Sequence, residues 1–567
     1  MTFDPSSAGQ PQGWSRRRPV LAGALVAAAA VLAYLPGLRG GFVWDDGVEV
    51  VQNDLLRTVH GLWLLWFRAA APDYLPLKST VQWLAWHLWG ARPLPFHILN
   101  LGLHAAGSVL VWRWLERLRV PGSWLAGLVF AIHPVNVESV AWISELKNTL
   151  SLVFFLLSLL AYADHEDNPG GSGYARSLGW FFAALLSKAS VTPLPFVLWI
   201  AAYWRRGEVT RRDLIATIPF FALAAFFGFV TIAFQYHRAL GPGMLALTSP
   251  GGWGVRVAAA GLDLGFYAFH AVAPIGLLVV YPKWSHGWAA AWPAAWGVAL
   301  AGMLGASWLH RRTWGRGPLC ALGYFVAMLL PVLGFLKMSY VWHSPVADHF
   351  EHLALVGMVA LGAGLYESAA RREPSVRPLL VVLAEVTVVV FLAACWSHER
   401  VFRDEDTLWQ ETLAGNPQAW AAYAGLGVEY YQHGDAERAA SCFSRALEIE
   451  PMQPLLRNDY GSALAALGRR GDAAEQYRMA LKVLDHPLLR QNLVQDLLDL
   501  GRYDEALEQA RLAVAAFPGE AALHGLLGEA CLRRDLPAEA ASEARIAIGL
   551  DPGQSKGRQV LAEALKK

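Results

Sequence analysis

The chain is short of cysteine, of charge and of every nucleotide-binding signature. Its four cysteines (Cys320, Cys395, Cys442 and Cys531) show neither metal-ligand spacing nor a disulfide framework. The first two fall in apolar stretches and the last two in repeat helices, where free cysteine packs as a small hydrophobe. Only 16% of residues are charged, and 47 Lys+Arg against 46 Asp+Glu leave a formal net charge of +1. That balance argues against nucleic acid as a partner. No P-loop, dinucleotide fingerprint or nucleophile elbow occurs. Their absence disfavours a soluble mechanism driven by ATP or a nucleotide-sugar and favours a donor carried by lipid. The two halves also show no pseudo-symmetry of the kind transporters carry.

Apolar sequence is what the chain has most of, at 55% hydrophobic residues with 25 Trp. The first 400 or so residues are apolar blocks, and the rest is water-soluble in composition. This contrast predicts a polytopic membrane domain over 1–400 and a soluble domain over 401–567. Arg16, Arg17 and Arg18 precede the run Pro19 to Pro36, which lacks a convincing cleavage pattern and reads as an uncleaved first helix. Further candidate spans lie at 75–90, 97–115, 121–133, 148–163, 178–204, 213–236, 257–281, 291–310, 318–337, 349–368 and 378–396. Basic clusters separate several of them: Arg113 to Arg119, Arg205 to Arg212, Arg311 to Arg316, and Arg371 to Arg377. Placing all of these on the cytoplasmic side puts Asp45–Asp46, His133–Lys147, Ser339–His352 and the soluble domain outside. It requires that 178–204 bend around Ser187–Pro193 and that 257–281 not cross, with His270 and Pro274 interrupting it.

The soluble part repeats itself. Gly427 and Gly461, Ala439 and Ala473, and Ala446 and Ala480 are each 34 positions apart. Later sets run Gly501, Ala506, Ala513, Pro518 and Gly528, Ala540, Ala547, Pro552. Small residues at these offsets let paired helices approach closely, and this is the tetratricopeptide period. About four repeats are expected, with Gln554 to Lys567 as a capping helix.

Four constellations carry possible chemistry. Asp45 and Asp46 are adjacent carboxylates in the first loop after a span; like charges side by side raise one pKa, which suits a general base. Asn53 and Asp54 follow closely enough to orient the base. The stretch His133 to Asn148 places His133, Glu138, Glu145 and Lys147 between two apolar runs, where uncompensated charge is costly. Lys188 is a lone cation in an apolar stretch, able to pair with a carboxylate or to hold a phosphate. Finally, His343, Asp348, His349, Glu351 and His352 cluster, but without an HExxH framework, which disfavours a metal.

These residues resemble a known family. Phe42–Asp46 through Asn53–Asp54, Tyr74–Leu77, Phe96–Ala105, Ala131–Ile143, Leu186–Lys188 and Trp409–Leu413 are similar to the transmembrane-and-tetratricopeptide protein O-mannosyltransferases and their bacterial relatives, and the likeness runs along nearly the whole chain. It implies an all-α chain: a GT-C type glycosyltransferase domain followed by a tetratricopeptide α-solenoid. Such enzymes move a sugar from a polyprenyl-phosphate donor to a hydroxyl on the non-cytoplasmic face, here the periplasmic face of a bacterial inner membrane, with inversion. The family's acidic pair maps onto Asp45 and Asp46, one as general base and one positioning it. His133, Glu138, Lys147, Lys188, Asp348 and His349 would line the donor side. Where many relatives carry an Arg, this chain has His349. The partners implied are a lipid-linked sugar, membrane lipids and an acceptor protein or peptide held by the repeats, with no cofactor beyond the donor. The rival expectation is a non-catalytic membrane scaffold whose repeats recruit partners.

Overall fold

The computed structural model describes residues 14–68, 71, 73–236, 252–284, 288–336 and 338–567. Among them every regular element is helical. The chain divides into two compact units, Met1–Asn416 and Pro417–Lys567. The division falls at Asn416 instead of 400 because the helix Glu405–Gly415 belongs to the first unit. Its Trp409 ring meets Trp44 edge-on at 5.1 Å, and Asn416 Nδ2 donates to Val280 O at 3.2 Å.

Among the described residues of the first unit, three helical segments are long and apolar enough to cross a membrane: Pro93–Arg117, Ile143–Asp167 and Pro374–Phe402. The pair Ser123–Ala131 and Pro134–Ala141, bent by 49°, makes a fourth if it counts as one span. Other apolar runs of the sequence fold as shorter or broken helices, among them Pro19–Ala33 and Ile218–Phe234. The run 178–204 breaks where proline and the lone lysine require. Its first helix ends at Ser187, a 3-10 turn covers Ala189–Val191, and a second helix runs Leu194–Arg206. The run 257–281 is helical only to His270. The run 318–337 becomes Gly317–Leu329 plus a 3-10 turn Leu330–Val332, and its last residue lies outside the described residues. On the helix Arg377–Glu399, Leu379, Val382, Leu383, Val386, Val389 and Val390 are all more than half exposed. An apolar face of that extent is stable in lipid and costly in water.

The bundle has two distinct ends. At one, ion pairs tie the helix termini together: Arg117 to Asp167 at 2.5 Å, Arg205 to Glu166 at 2.6 Å and Arg206 to Asp213 at 2.6 Å. Arg316 Nη1 donates there to Tyr203 O at 3.0 Å. At the other end, Gly37 N donates to Glu399 Oε2 at 2.6 Å, Gly41 N to Arg403 O at 2.9 Å, and His97 Nε2 meets Gly40 O at 3.1 Å. The loop carrying Asp45 and Asp46 belongs to this second end.

The second unit is a stack of helix pairs: Trp420–Gln432 with Ala436–Ile449, Pro454–Ala466 with Arg470–Leu481, Pro487–Asp499 with Tyr503–Ala516, and Ala521–Arg533 with Pro537–Leu550. Ser555–Ala564 closes it. The repeat period has a steric cause. A Cβ on Gly427 would run into the Phe443 ring, and one on Gly461 into the Tyr477 ring, so the aromatic of each second helix fills the space its glycine leaves. Ala439, Ala446, Ala473, Ala480, Ala506, Ala513, Ala540 and Ala547 are fully buried at the pair interfaces. The turn inside each pair needs a left-handed residue, supplied by Gly434 (φ 82°), Gly468 (φ 76°) and Gly501 (φ 73°), and in the last pair by Asp535 (φ 58°).

Candidate active site

The Asp45–Asp46 loop is held by its neighbours from both sides. Trp44 adopts a left-handed conformation, φ 49°, rare for a bulky residue. Its indole stacks on Trp142 (5.0 Å, 7°) and meets Trp409 (5.1 Å) and His343 (5.9 Å) edge-on. A π-turn follows over Gly47–Val51, closed by Gln52 N donating to Gly47 O at 2.7 Å. Irregular helical turns of this kind recur at functional sites.

The two aspartates have different surroundings. Asp46 is fully buried. Its Oδ1 accepts from Ser144 N (2.7 Å) and Ser144 Oγ (2.6 Å), and its Oδ2 accepts from Val43 N (3.0 Å). Burial pushes its carboxyl up to about 7 against the pull of those three donors. Asp46 therefore pins the loop to the Trp142–Ser144 turn. Asp45 is half-buried, and among the described residues no donor occupies its oxygens. Burial and the nearby Glu49 carboxylate push it up to about 7, opposed by Lys147 and Lys78. It is the free acceptor of the pair.

Around Asp45 runs a chain of charges. Glu49 pairs with Lys78. Burial opposes ionisation of Glu49, but Lys78 and Lys147 outweigh it and hold its carboxyl below the usual range. Glu145, 1% exposed, is the hub: Oε1 lies 2.8 Å from Lys147 Nζ and Oε2 lies 3.4 Å from Lys188 Nζ. Asn148 bridges them, donating to Glu145 Oε2 at 2.6 Å and accepting from Lys188 at 2.5 Å. Glu138 faces His349 from the other side, with Oε1 3.0 Å from His349 Nδ1 and Oε2 accepting from His349 N at 2.8 Å. Lys147 and Lys188 keep 15% and 12% of their side chains exposed, whereas Lys78 keeps 6%. The first two are thus less enclosed than Lys78.

The scaffold beneath is one face of the helix Pro93–Arg117. Asn100 Nδ2 donates to the carbonyls of Ser139, Val140 and Trp142, and Asn100 accepts from Thr149. His104 Nε2 meets Ala131 O at 3.1 Å. His97, Asn100 and His104 recur at helical spacing and satisfy backbone oxygens of the loops that carry the site.

The structure thus brings Asp45, Asp46, Glu138, Lys147, Lys188 and His349 into one linked region. It places His133 elsewhere and leaves Asp348 at the edge of this region, within electrostatic reach of Glu138 but bonded to another partner. His133 is buried in a separate environment: Nε2 meets Ala271 O at 3.3 Å, Nδ1 accepts from Val135 N at 3.4 Å, and the ring packs on Phe391. It caps the turn Pro134–Asn136 and touches none of the site's charged groups among the described contacts. Asp348 accepts from Tyr281 Oη at 2.7 Å. That tyrosine also lines an aromatic cavity of about 550 Å³ with Phe266, Trp284, Trp292 and Trp296. His352 turns away to Asn136 Oδ1 at 2.8 Å. The His343–His352 cluster is therefore dispersed among different partners, and among the described residues no three His, Cys, Asp or Glu side chains converge as metal ligands. Asn53 caps the short turn Asp54–Leu56 by accepting from Leu55 N, and Asp54 pairs with Arg57 at the surface, so neither orients Asp45. Glu49 and Lys78 were missed in the sequence. Lys78 carried the same signal as Lys188, a lone cation in an apolar stretch.

Residues 425–485 and 492–555 match the tetratricopeptide repeat family. The chain is also 36% identical over 170 residues to the Protein O-mannosyl-transferase TMTC2 of Mus musculus and 35% identical over 173 residues to that of Homo sapiens. Each match takes in 28% of this chain and 20% of the relative. The Protein O-mannosyl-transferase TMTC4 of Homo sapiens is 31% identical over 182 residues, 27% of this chain and 25% of the relative. Homologues of this chain are thus protein O-mannosyl-transferases, and its carboxy-terminal unit is a tetratricopeptide-repeat array. The matched region spans a fifth to a quarter of the length of these relatives. Among solved structures, MamA 41-end from Desulfovibrio magneticus RS-1 is 25% identical over 26% of this chain and 82% of its own, with a TM-score of 0.24.

Proposed function

We propose that the chain is a membrane glycosyltransferase that moves a hexose, mannose by analogy with its relatives, from a polyprenyl-phosphate donor to a hydroxyl of a protein or glycan. The observation that carries this reading is the division of labour between the two aspartates: Asp46 saturated with donors, Asp45 free of them and close to Lys147. Asp45 takes the proton of the acceptor hydroxyl as its oxygen attacks the anomeric carbon. The bond from that carbon to the lipid phosphate breaks on the opposite side, with inversion, and the electron pair leaves on the phosphate. Lys147 and Lys188 offset the charge that develops there, a form of stabilisation that grows along the reaction coordinate. Glu145 holds both ammonium groups in place. A carboxyl with a pKa near 7 is well matched to base catalysis at neutral pH.

In this reading the site end faces the periplasm of a bacterial inner membrane, and the repeats present the acceptor. The basic clusters gathered at the opposite end of the bundle support that orientation. The test is sugar transfer by the purified full chain from a panel of radiolabelled polyprenyl-phosphate sugars, with Asp45→Asn beside it. Transfer lowered by about 10²–10⁴-fold in a folded variant is the expected result. Absence of transfer from every donor by folded protein would favour the scaffold reading, in which the repeats alone bind partners.

A further inference from the structure

The basic end of the bundle contains a cavity of about 300 Å³ that takes no part in the site described above. Its walls come from the last turns of the helices Pro93–Arg117 and Leu194–Arg206 and from Gly317–Leu329 and Leu355–Arg372. The wall contributed by Leu355–Arg372 includes the small residues Gly357, Ala360 and Gly364, which leave room beside its larger ones. Gly357 lets that helix press against Ala321 O, while a Cβ on Gly364 would find nothing nearer than Pro121 O at 3.9 Å, so the groove widens toward the basic end. Val356 to Arg372 spans roughly 24 Å along the helix axis, the reach of a lipid chain.

Charge is arranged at one end of this groove only. Arg372 lines it and is exposed; Arg119 stands between the lining residues Leu118 and Val120, and Arg312 directly precedes the lining Thr313. None of these three arginine side chains has an ion-pair or hydrogen-bond partner among the described residues, whereas Arg117, Arg205 and Arg206 beside them are all paired. No carboxylate lines the groove. Trp204 and Trp314 also line it, with Trp204 Nε1 donating to Leu118 O at 2.8 Å. An apolar slot with the exposed Arg372 at one end, Arg119 and Arg312 next in sequence to its lining residues, and tryptophans in its wall matches the chemistry of an anionic diacyl phospholipid.

We infer that this groove is a binding site for an anionic phospholipid, with an acyl chain along Gly357–Gly364 and the phosphate held by Arg372 and Arg119. The inference is independent of the sugar-transfer reading. It is tested on the purified full chain in nanodiscs of equal phosphatidylglycerol and phosphatidylcholine, by native mass spectrometry of the lipid retained after delipidation. The natural chain retains phosphatidylglycerol over phosphatidylcholine. The pair Arg119→Gln and Arg372→Gln lowers that retention roughly fivefold per arginine. Gly364→Leu, which fills the slot without a backbone collision, lowers it with both arginines intact. Melting curves in detergent show that both variants are folded. Equal retention of the two lipids, or unchanged retention in either variant, overturns the assignment. Inorganic phosphate that protects the protein from melting as well as phosphatidylglycerol does would make this a free-anion site and also overturn it.

Discussion

The two ends of the membrane unit handle charge in opposite ways. At the basic end the Arg117–Asp167 pair is solvent-facing, at 40% and 42% side-chain exposure, and it joins helix termini that are close in any case. At the site end, Glu145 is 1% exposed and serves two lysines and a histidine drawn from three separate segments. Exposed pairs of the first kind contribute little and are replaceable, while a buried hub cannot lose one member without stranding the others. In the proposed reading, charge that is costly to keep marks the end that carries the chemistry.

The largest effect expected from breaking this contrast is at the hub. Glu145→Ala leaves Lys147 and Lys188 without their shared carboxylate and should destabilise the unit by about 3–5 kcal/mol, read by denaturation in detergent, whereas Arg117→Gln should cost no more than about 1 kcal/mol. Next comes Asp46→Asn. Its amide turns an N–H toward a backbone or hydroxyl donor, so stability should fall by about 1–3 kcal/mol, while Asp45→Asn, which disturbs no hydrogen bond among the described residues, should melt close to the natural chain.

The pH profile sharpens the comparison further. A base must be ionised, and the carboxyl of Asp45 is pushed up to about 7. Transfer should therefore rise as pH is raised and fall about tenfold per unit below 7. A rate that is flat from pH 5 to 7 would assign the base elsewhere. The smallest effect lies in the repeat unit: Asp535→Gly removes a left-handed aspartate and gives up only exposed contacts to Lys567, for a gain of roughly 0.5–1 kcal/mol.

Much of this architecture was legible in the sequence. The 34-residue spacing of Gly427 and Gly461 reads directly as paired helices because the steric demand recurs with the period. The bend at Lys188 and the end of helix at His270 follow from proline and from the placement of basic clusters. What escaped was pairing across distance. Nothing near Glu49 in the sequence announces Lys78, and nothing near Asp45 announces that Ser144 will claim its neighbour. His133 misled for the opposite reason: it is sequence-adjacent to the site's motif, yet the turn it caps points its ring toward Ala271 and Phe391. Several apolar runs fold as shorter or broken helices because hydropathy does not register where proline and glycine cut a helix short.

The most direct test compares sugar transfer and melting for the natural chain, Asp45→Asn and Asp46→Asn, all assayed with the same polyprenyl-phosphate sugars. The expected outcome is that Asp45→Asn melts like the natural chain and transfers nothing measurable, while Asp46→Asn melts lower. Transfer that survives in Asp45→Asn would contradict the assignment of the base and, with it, the separation of roles between the two aspartates.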